Sequence, residues 1–363
     1  MNNKQRTIKP RIVFMGTPEF GAVILEKLGQ SEFKPILVVT ETDKPVGRKQ
    51  IRTGAVTPPP VKVIAQKYSI PIEQPERIEN LKLKIENLKP DLIIVAAYGQ
   101  IIPKDILDIP RYRCINVHPS LLPKYRGPSP IQHAILNGDE ETGVTIMLVN
   151  EKIDSGPILS NTKYKMSTVH TQQNTKYTYT ELSKELAEVG AKLLINTIPQ
   201  WLKGEIKPRP QDESKATYTK ILIKEDGKID WQKSAEQIER QIRAFSPWPG
   251  TFAFLDGEKL KILEVETFIC EEKKWFGKLT TRQPGEVFLT EDKQLVVKAG
   301  PPTKTRTSAT PEFGIAEKNQ SSFGAGAIQN SLILRKLQLE GGKPLLAEDF
   351  LRGHEEIIGK ILK

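Results

Sequence analysis

The chain is poor in cysteine. It has only Cys114 and Cys270, far apart and in no CxxC pair, which argues against a disulfide framework or a thiolate zinc site and suits a reducing cytoplasm. No HExxH, EF-hand or Cys/His cluster occurs, so no metal is expected. No GxSxG elbow is present either, which removes the common serine-hydrolase signature. No apolar run approaches the ~18 residues of a membrane span. The basic N-terminus MNNKQRTIKP is followed by the short run Arg11–Met15 and no cleavage signal, so it reads as a first strand and not as an export signal.

What the chain has is basic charge and alternating secondary structure. Its net charge is +10 over 363 residues. That length favours two domains. The charge is compatible with a plain soluble surface or with a polyanionic partner such as nucleic acid. Arg11–Met15 ends in Gly16, a helical pattern runs from Glu19 to Leu28, and Pro35–Thr40 is a buried strand. Strand, helix, strand is the start of a parallel sheet. Asp91–Ala97, Arg113–Val117 and Gly143–Val149 are further strands, Pro60 opens a helix, and Tyr179–Leu202 is a long helix ending before Gly204. The first part is therefore an open α/β sheet, whose ligands sit beyond the carboxyl ends of its strands.

The polar stretch Lys207–Ser214 suits an interdomain linker. Beyond it, Ser234–Phe245 is an amphipathic helix with Ser234 and Gln237 placed as a capping box. Thr251–Leu255, Leu260–Glu266, Gly285–Leu289, Gln294–Lys298 and Ser331–Leu339 are short strands of a small barrel or sandwich. Residues 299–330, rich in Gly, Ser, Thr and Pro, form a long insertion between two of them. These patterns divide the chain into residues 1–206, a linker at 207–215 and a second domain at 216–363.

The chemistry concentrates in Cys114–Pro130. Asn116 and His118 stand two apart at the end of a strand, so both leave the same face. An amide that donates hydrogen bonds then lies beside an imidazole that moves protons near pH 7. Such a pair suits transfer of an acyl or formyl group to an amine. A third group that orients the histidine is needed. Asp154, in the turn Ile153-Asp-Ser-Gly156, is a candidate, and Glu151 competes with it on spacing alone. Gly16 and Gly21, in GTPEFG, match neither a dinucleotide fingerprint nor a Walker loop and read as turn glycines. The segment from Asp43 to Lys62 carries Lys44, Arg48, Lys49, Arg52 and Lys62 against Asp43. A long basic loop beside the first strand ends is well placed to grip phosphates.

The run INVHPSLLPKYRGPSPIQ, followed by GDEETGVTIM and the IDSG turn, resembles the folate-dependent formyltransferases. The resemblance implies a Rossmann-like, mostly parallel sheet followed by an OB-like β-barrel. It implies Asn116, His118 and Asp154 as the catalytic constellation, and so selects Asp154 over Glu151. It also implies Ser120, Leu121, Leu122 and Pro123 as folate contacts, with 10-formyltetrahydrofolate as co-substrate and no metal. Similarity extends through FMGTPEFG, TDKPVGRK, TPPPVKVIA, VAAYGQIIP, KIDW and IRAFSPWPGTF. Within the superfamily it is greatest to enzymes that formylate the methionine carried by initiator tRNA, in the cytoplasm, at the start of translation. Arg48, Lys49 and Arg52 are then expected to contact the tRNA, and no obligate protein partner is implied. A sugar-nucleotide amine is the alternative acceptor, since such enzymes share the Asn–His–Asp core. An RNA-binding module without activity is a further alternative, against which the intact triad stands.

Overall fold

A computed structural model of the protein describes residues 9–45, 56–166, 176–268, 282–301 and 330–363. The chain divides into two units, residues 1–134 with 139–221 and residues 135–138 with 222–363. The division falls after residue 221, not at 207–215, because residues 209–220 are hydrogen-bonded within the first unit, as described below.

The first unit holds β1 (Ile12–Gly16), α1 (Glu19–Gly29), β2 (Leu37–Val39), β3 (Lys44–Pro45), β4 (Val56–Thr57), α2 (Pro60–Lys67), β5 (Ile72–Glu73), α3 (Lys82–Leu88), β6 (Leu92–Ala96), α4 (Lys104–Leu107) and β7 (Cys114–His118). After α5 (Pro130–Asn137) follow β8 (Glu141–Leu148), β9 (Ile158–Lys165) and α6 (Tyr179–Leu202). Seven strands form one sheet in the order β5-β2-β1-β6-β7-β8-β9. The first five in that order are mutually parallel, and β8 and β9 are antiparallel additions at one edge. The central strands are apolar because both faces of the sheet are covered there. All residues of β1 and β6 are buried.

The order reverses between β1 and β6, the kind of position where open α/β sheets bind ligands. Close packing there depends on two glycines. A Cβ on either Gly16 or Gly21 would lie 2.7 Å from the carbonyl oxygen of Ala96. Gly16 is the last residue of β1 and Gly21 lies within α1, so their role is this close approach and not a turn. Helix α6 begins with a capping box between Thr178 and Glu181. It lays Gly190 against Val117 of β7 and Val144 of β8. Val117 therefore faces the helix, and alternation along β7 sends Asn116 and His118 to the opposite face.

The second unit contains α7 (Ala235–Ala244), β10 (Phe252–Leu255), β11 (Glu258–Phe268), β12 (Val287–Leu289), β13 (Leu295–Lys298), β14 (Ser331–Leu339), β15 (Leu345–Leu346) and α8 (Ala347–Leu351). Its sheet runs β10-β11-β14-β13-β12, with β15 also paired to β14, and every pairing is antiparallel, giving a half-barrel. The Ser234–Gln237 capping box opens α7, whose Ile238 and Ile242 join Leu260, Ile262, Leu332 and Phe350 in one core. The insertion between β13 and β14 lies outside the described residues except at its ends, where Lys298 pairs with Ser331. Among the described residues no helix is long and apolar enough to cross a membrane.

Candidate active site

Asn116, His118 and Asp154 meet. Asp154 Oδ1 accepts a hydrogen bond from Asn116 Nδ2 at 3.3 Å. Asp154 Oδ2 accepts one from the backbone N–H of Gly127 at 2.8 Å and lies 3.6 Å from His118 Nδ1. His118 is buried, and its Nε2 donates to the carbonyl oxygen of Tyr125 at 2.9 Å. A carbonyl only accepts, so Nε2 carries a proton in this arrangement. The other ring nitrogen faces a carboxylate just beyond bonding distance. When the ring is protonated, both nitrogens are donors and both oxygens are satisfied.

Asp154 follows β8, whose direction does not by itself carry it toward His118. Strand β8 runs antiparallel to β7, with Leu148 beside Ile115 and Thr145 beside His118. The carboxyl end of β8 therefore lies away from His118, and the loop of residues 149–157 has to return Asp154 to it. Gly156 makes the return possible, because a Cβ there would lie 1.8 Å from the carbonyl oxygen of Leu148. Asp154 itself has φ +46°, a left-handed conformation that is unfavourable for a residue with a side chain. Strain of this kind persists only where surrounding contacts hold it in place.

Those contacts come from residues that the sequence presents as a linker. Gln211 Nε2 donates to the carbonyl oxygens of Asp154 at 2.9 Å and Gly156 at 2.7 Å. Gln211 Oε1 accepts from Arg126 Nε at 3.0 Å. Arg126, the largest fully buried side chain, also forms a two-pronged ion pair with Glu213 at 2.7 and 2.9 Å and donates to the hydroxyl of Tyr218. The guanidinium holds the Glu213 carboxyl below the usual carboxylate range. Thr217 and Thr219 continue the strap. Thr217 Oγ1 accepts from the Tyr125 N–H, and backbone bonds run from Arg126 to Thr217 and from Thr219 to Arg126. Arg126, Gln211 and Glu213 escape sequence reading because they act on backbone groups and on one another. Polar residues between prolines have no periodicity to reveal such a role.

The Ser120–Pro123 turn is divided in its roles. The Ser120 hydroxyl donates to the carbonyl of Lys124 at 2.6 Å, and its own carbonyl accepts from Thr145 Oγ1 at 2.7 Å. Leu122 is buried against Met147 and Ile158. Leu121 and Pro123 are half-buried. Cys114, also on β7, has its thiol pushed up to about 12 by burial, so it stays protonated and chemically inert.

Arg48, Lys49 and Arg52 lie outside the described residues. The flanking cations are described, and they are not free. Lys62 pairs with Asp43 at 2.7 Å, Lys44 pairs with Glu41 at 2.8 Å, and Gln74 bonds both Asp43 and the Glu41 carbonyl. Counting charges along the segment thus overstates what its ends offer a polyanion.

Known proteins resemble the chain in sequence and in fold. The formyl transferase family matches residues 10–198, and the formyl transferase C-terminal domain family matches residues 221–355. A methionyl-tRNA formyltransferase of Bacillus velezensis is 39% identical over 354 residues, 97% of each chain. One from Caldicellulosiruptor saccharolyticus is 41% identical over 355 residues, 97% of this chain and 99% of that one. The crystal structure of HypX from Aquifex aeolicus in complex with tetrahydrofolic acid is alike in fold, with TM-score 0.57 at 15% identity over 98% of this chain and 48% of that one. The two methionyl-tRNA formyltransferases match the chain nearly end to end at 39% and 41% identity, and the family matches fall on the two units described, so the chain belongs to the methionyl-tRNA formyltransferases.

Proposed function

We propose that the chain transfers the formyl group of 10-formyltetrahydrofolate to the α-amino group of methionine carried by initiator tRNA. The observation that carries the reaction type is the convergence of Asn116 and His118 on the one carboxylate of Asp154. Folate supplies the formyl group as a co-substrate. The donors present suit it: one N–H of Asn116 is bonded to Asp154, and the second points to no partner among the described residues. Two buried hydroxyls at the carboxyl ends of β2 and β6, Thr40 and Tyr98, also have no hydrogen-bond partner there. Burial pushes the Tyr98 phenol up to about 12, so it remains a donor. Orphaned donors at this end of the sheet are what a polar ligand would satisfy.

Each residue then has a role that its surroundings support. The amine attacks in its neutral form, which costs little near an α-amino pKa of ~7.7–8. Asn116 donates a hydrogen bond to the formyl oxygen as negative charge develops on it, and His118, neutral when the amine attacks, adds a charged donor once the amine proton has passed to its ring. Such a donor is worth about 2.7–4 kcal/mol. His118 also carries the proton from the amine toward the departing nitrogen. Asp154 holds the imidazole and the amide in one orientation and balances the charge of the ring. Leu121 and Pro123 offer apolar surface to the folate, while Ser120 and Leu122 maintain the turn. Arg48, with Lys49 and Arg52, contacts tRNA phosphates. Titration of tRNA against Arg48→Ala at two salt concentrations checks this, with weaker binding and a shallower salt dependence expected.

The deciding experiment is a formylation assay of the purified chain with 10-formyltetrahydrofolate. Charged initiator tRNA and an amino-sugar nucleotide are offered as separate acceptors. Product on the tRNA alone is expected. Product on the sugar nucleotide alone overturns the acceptor, and no product on either overturns the activity.

A further inference from the structure

We infer that Gln211 is a positioning residue for the reaction, acting through the backbone of Asp154. The inference rests on the role of Asp154 proposed above. Gln211 has two amide N–H groups and one carbonyl oxygen, and all three are engaged. The N–H groups hold the carbonyls of Asp154 and Gly156, which bracket the turn, and the oxygen accepts from the buried Arg126. Arg126 is fixed in turn by Glu213 and Tyr218. The bonds meet at a residue held at φ +46°. Without them, the turn is free to relax toward negative φ, which would swing the carboxylate away from Asn116 and His118. The Gly127 N–H, one residue from Arg126, donates to the same carboxylate. Arg126 therefore ties the backbone side and the side-chain side of Asp154 to one anchor. A residue outside contact with the reacting atoms thus sets where the carboxylate stands. Displacement of about 1 Å in such a constellation can lower turnover by about a hundredfold.

The test is a double-mutant cycle in the full chain with Gln211→Met and Asp154→Asn, read by kcat, by KM for each substrate and by thermal melting. Gln211→Met is expected to lower kcat by about 10–100-fold with both KM values little changed. Because Gln211 acts through Asp154, the double variant should be no slower than Asp154→Asn alone. If Gln211→Met melts below the assay temperature, Gln211→Glu takes its place, since it keeps the Arg126 contact but cannot donate to either carbonyl. Normal kcat in a folded Gln211 variant overturns the inference, and so do losses that multiply in the double variant, which mark a general structural effect. Failure of the reading beneath it looks different: Asp154→Asn then keeps wild-type turnover whatever Gln211 does.

Discussion

Residues 114–130 and residues 209–220 meet around Asp154, and their side chains are used in opposite ways. In the first segment, Asn116 and His118 direct side-chain donors toward a common space, with Val117 between them packed under α6. In the second, Gln211 bonds backbone carbonyls, Glu213 pairs with Arg126, and Thr217 accepts from a backbone N–H. In the function proposed, the first segment presents chemistry and the second fixes the geometry in which it works. The difference teaches that a stretch with the composition of a linker can be part of the packed fold when its polar groups satisfy backbone carbonyls.

That division can be broken experimentally. The largest effect is expected for His118→Ala, which should reduce kcat by about 10²–10⁴-fold through loss of a proton carrier. Its effect on tRNA binding should be small. Near-normal turnover would remove the first segment from the chemistry altogether.

Arg126→Met should act on stability instead. It removes a neutral-acceptor bond to Gln211 and the pair with Glu213, whose carboxylate is largely exposed and so contributes less. A loss on the order of 1–3 kcal/mol is expected by urea titration, with kcat reduced in the part that stays folded. An unchanged midpoint would show that the strap is held by its threonine and backbone bonds alone.

The smallest effect concerns acid. Asp212 is held down to about 2, first by the Ser214 side chain, then by Lys215 and the Ser214 N–H. Its folded value is depressed from the ordinary ~3.9. Its contribution is therefore fully present above about pH 4 and is lost as pH falls toward 2. Protection of the amides of residues 213–215, corrected for the intrinsic exchange rate at each pH, should fall across that window before that of the β7 amides. Simultaneous loss of protection in both segments would mean that strap and strand open as one unit.

Much of this was legible in the sequence because it is local. The apolar run Asp91–Ala97 became β6, Tyr179–Leu202 is a helix with those same bounds, and the Ser234–Gln237 box caps α7. The Asn116–His118 spacing required only that β7 be a strand. Asp154 was chosen over Glu151 by resemblance, since neither spacing nor composition separates two acids in one turn. The direction of β8 was not legible, because an apolar strand reads the same in either orientation. The neutralisation of Lys44 and Lys62 was hidden as well, since their partners Glu41 and Asp43 lie among residues that look equally solvated.

The sequence by itself determined the central strands, the longest helices and the kind of chemistry proposed. Hydrophobic period and capping act within a few residues, and an amide beside an imidazole on one strand face implies donors and a mobile proton wherever that strand lies. Only the tertiary structure decided that Asp154 returns to that face in a left-handed turn, and that Gln211 and Arg126 hold it there. The bonds of Gln211 join groups 55, 57 and 85 residues apart. Their partners are chosen by how the chain packs, because a buried carbonyl must find a donor and accepts whichever one the fold brings within reach.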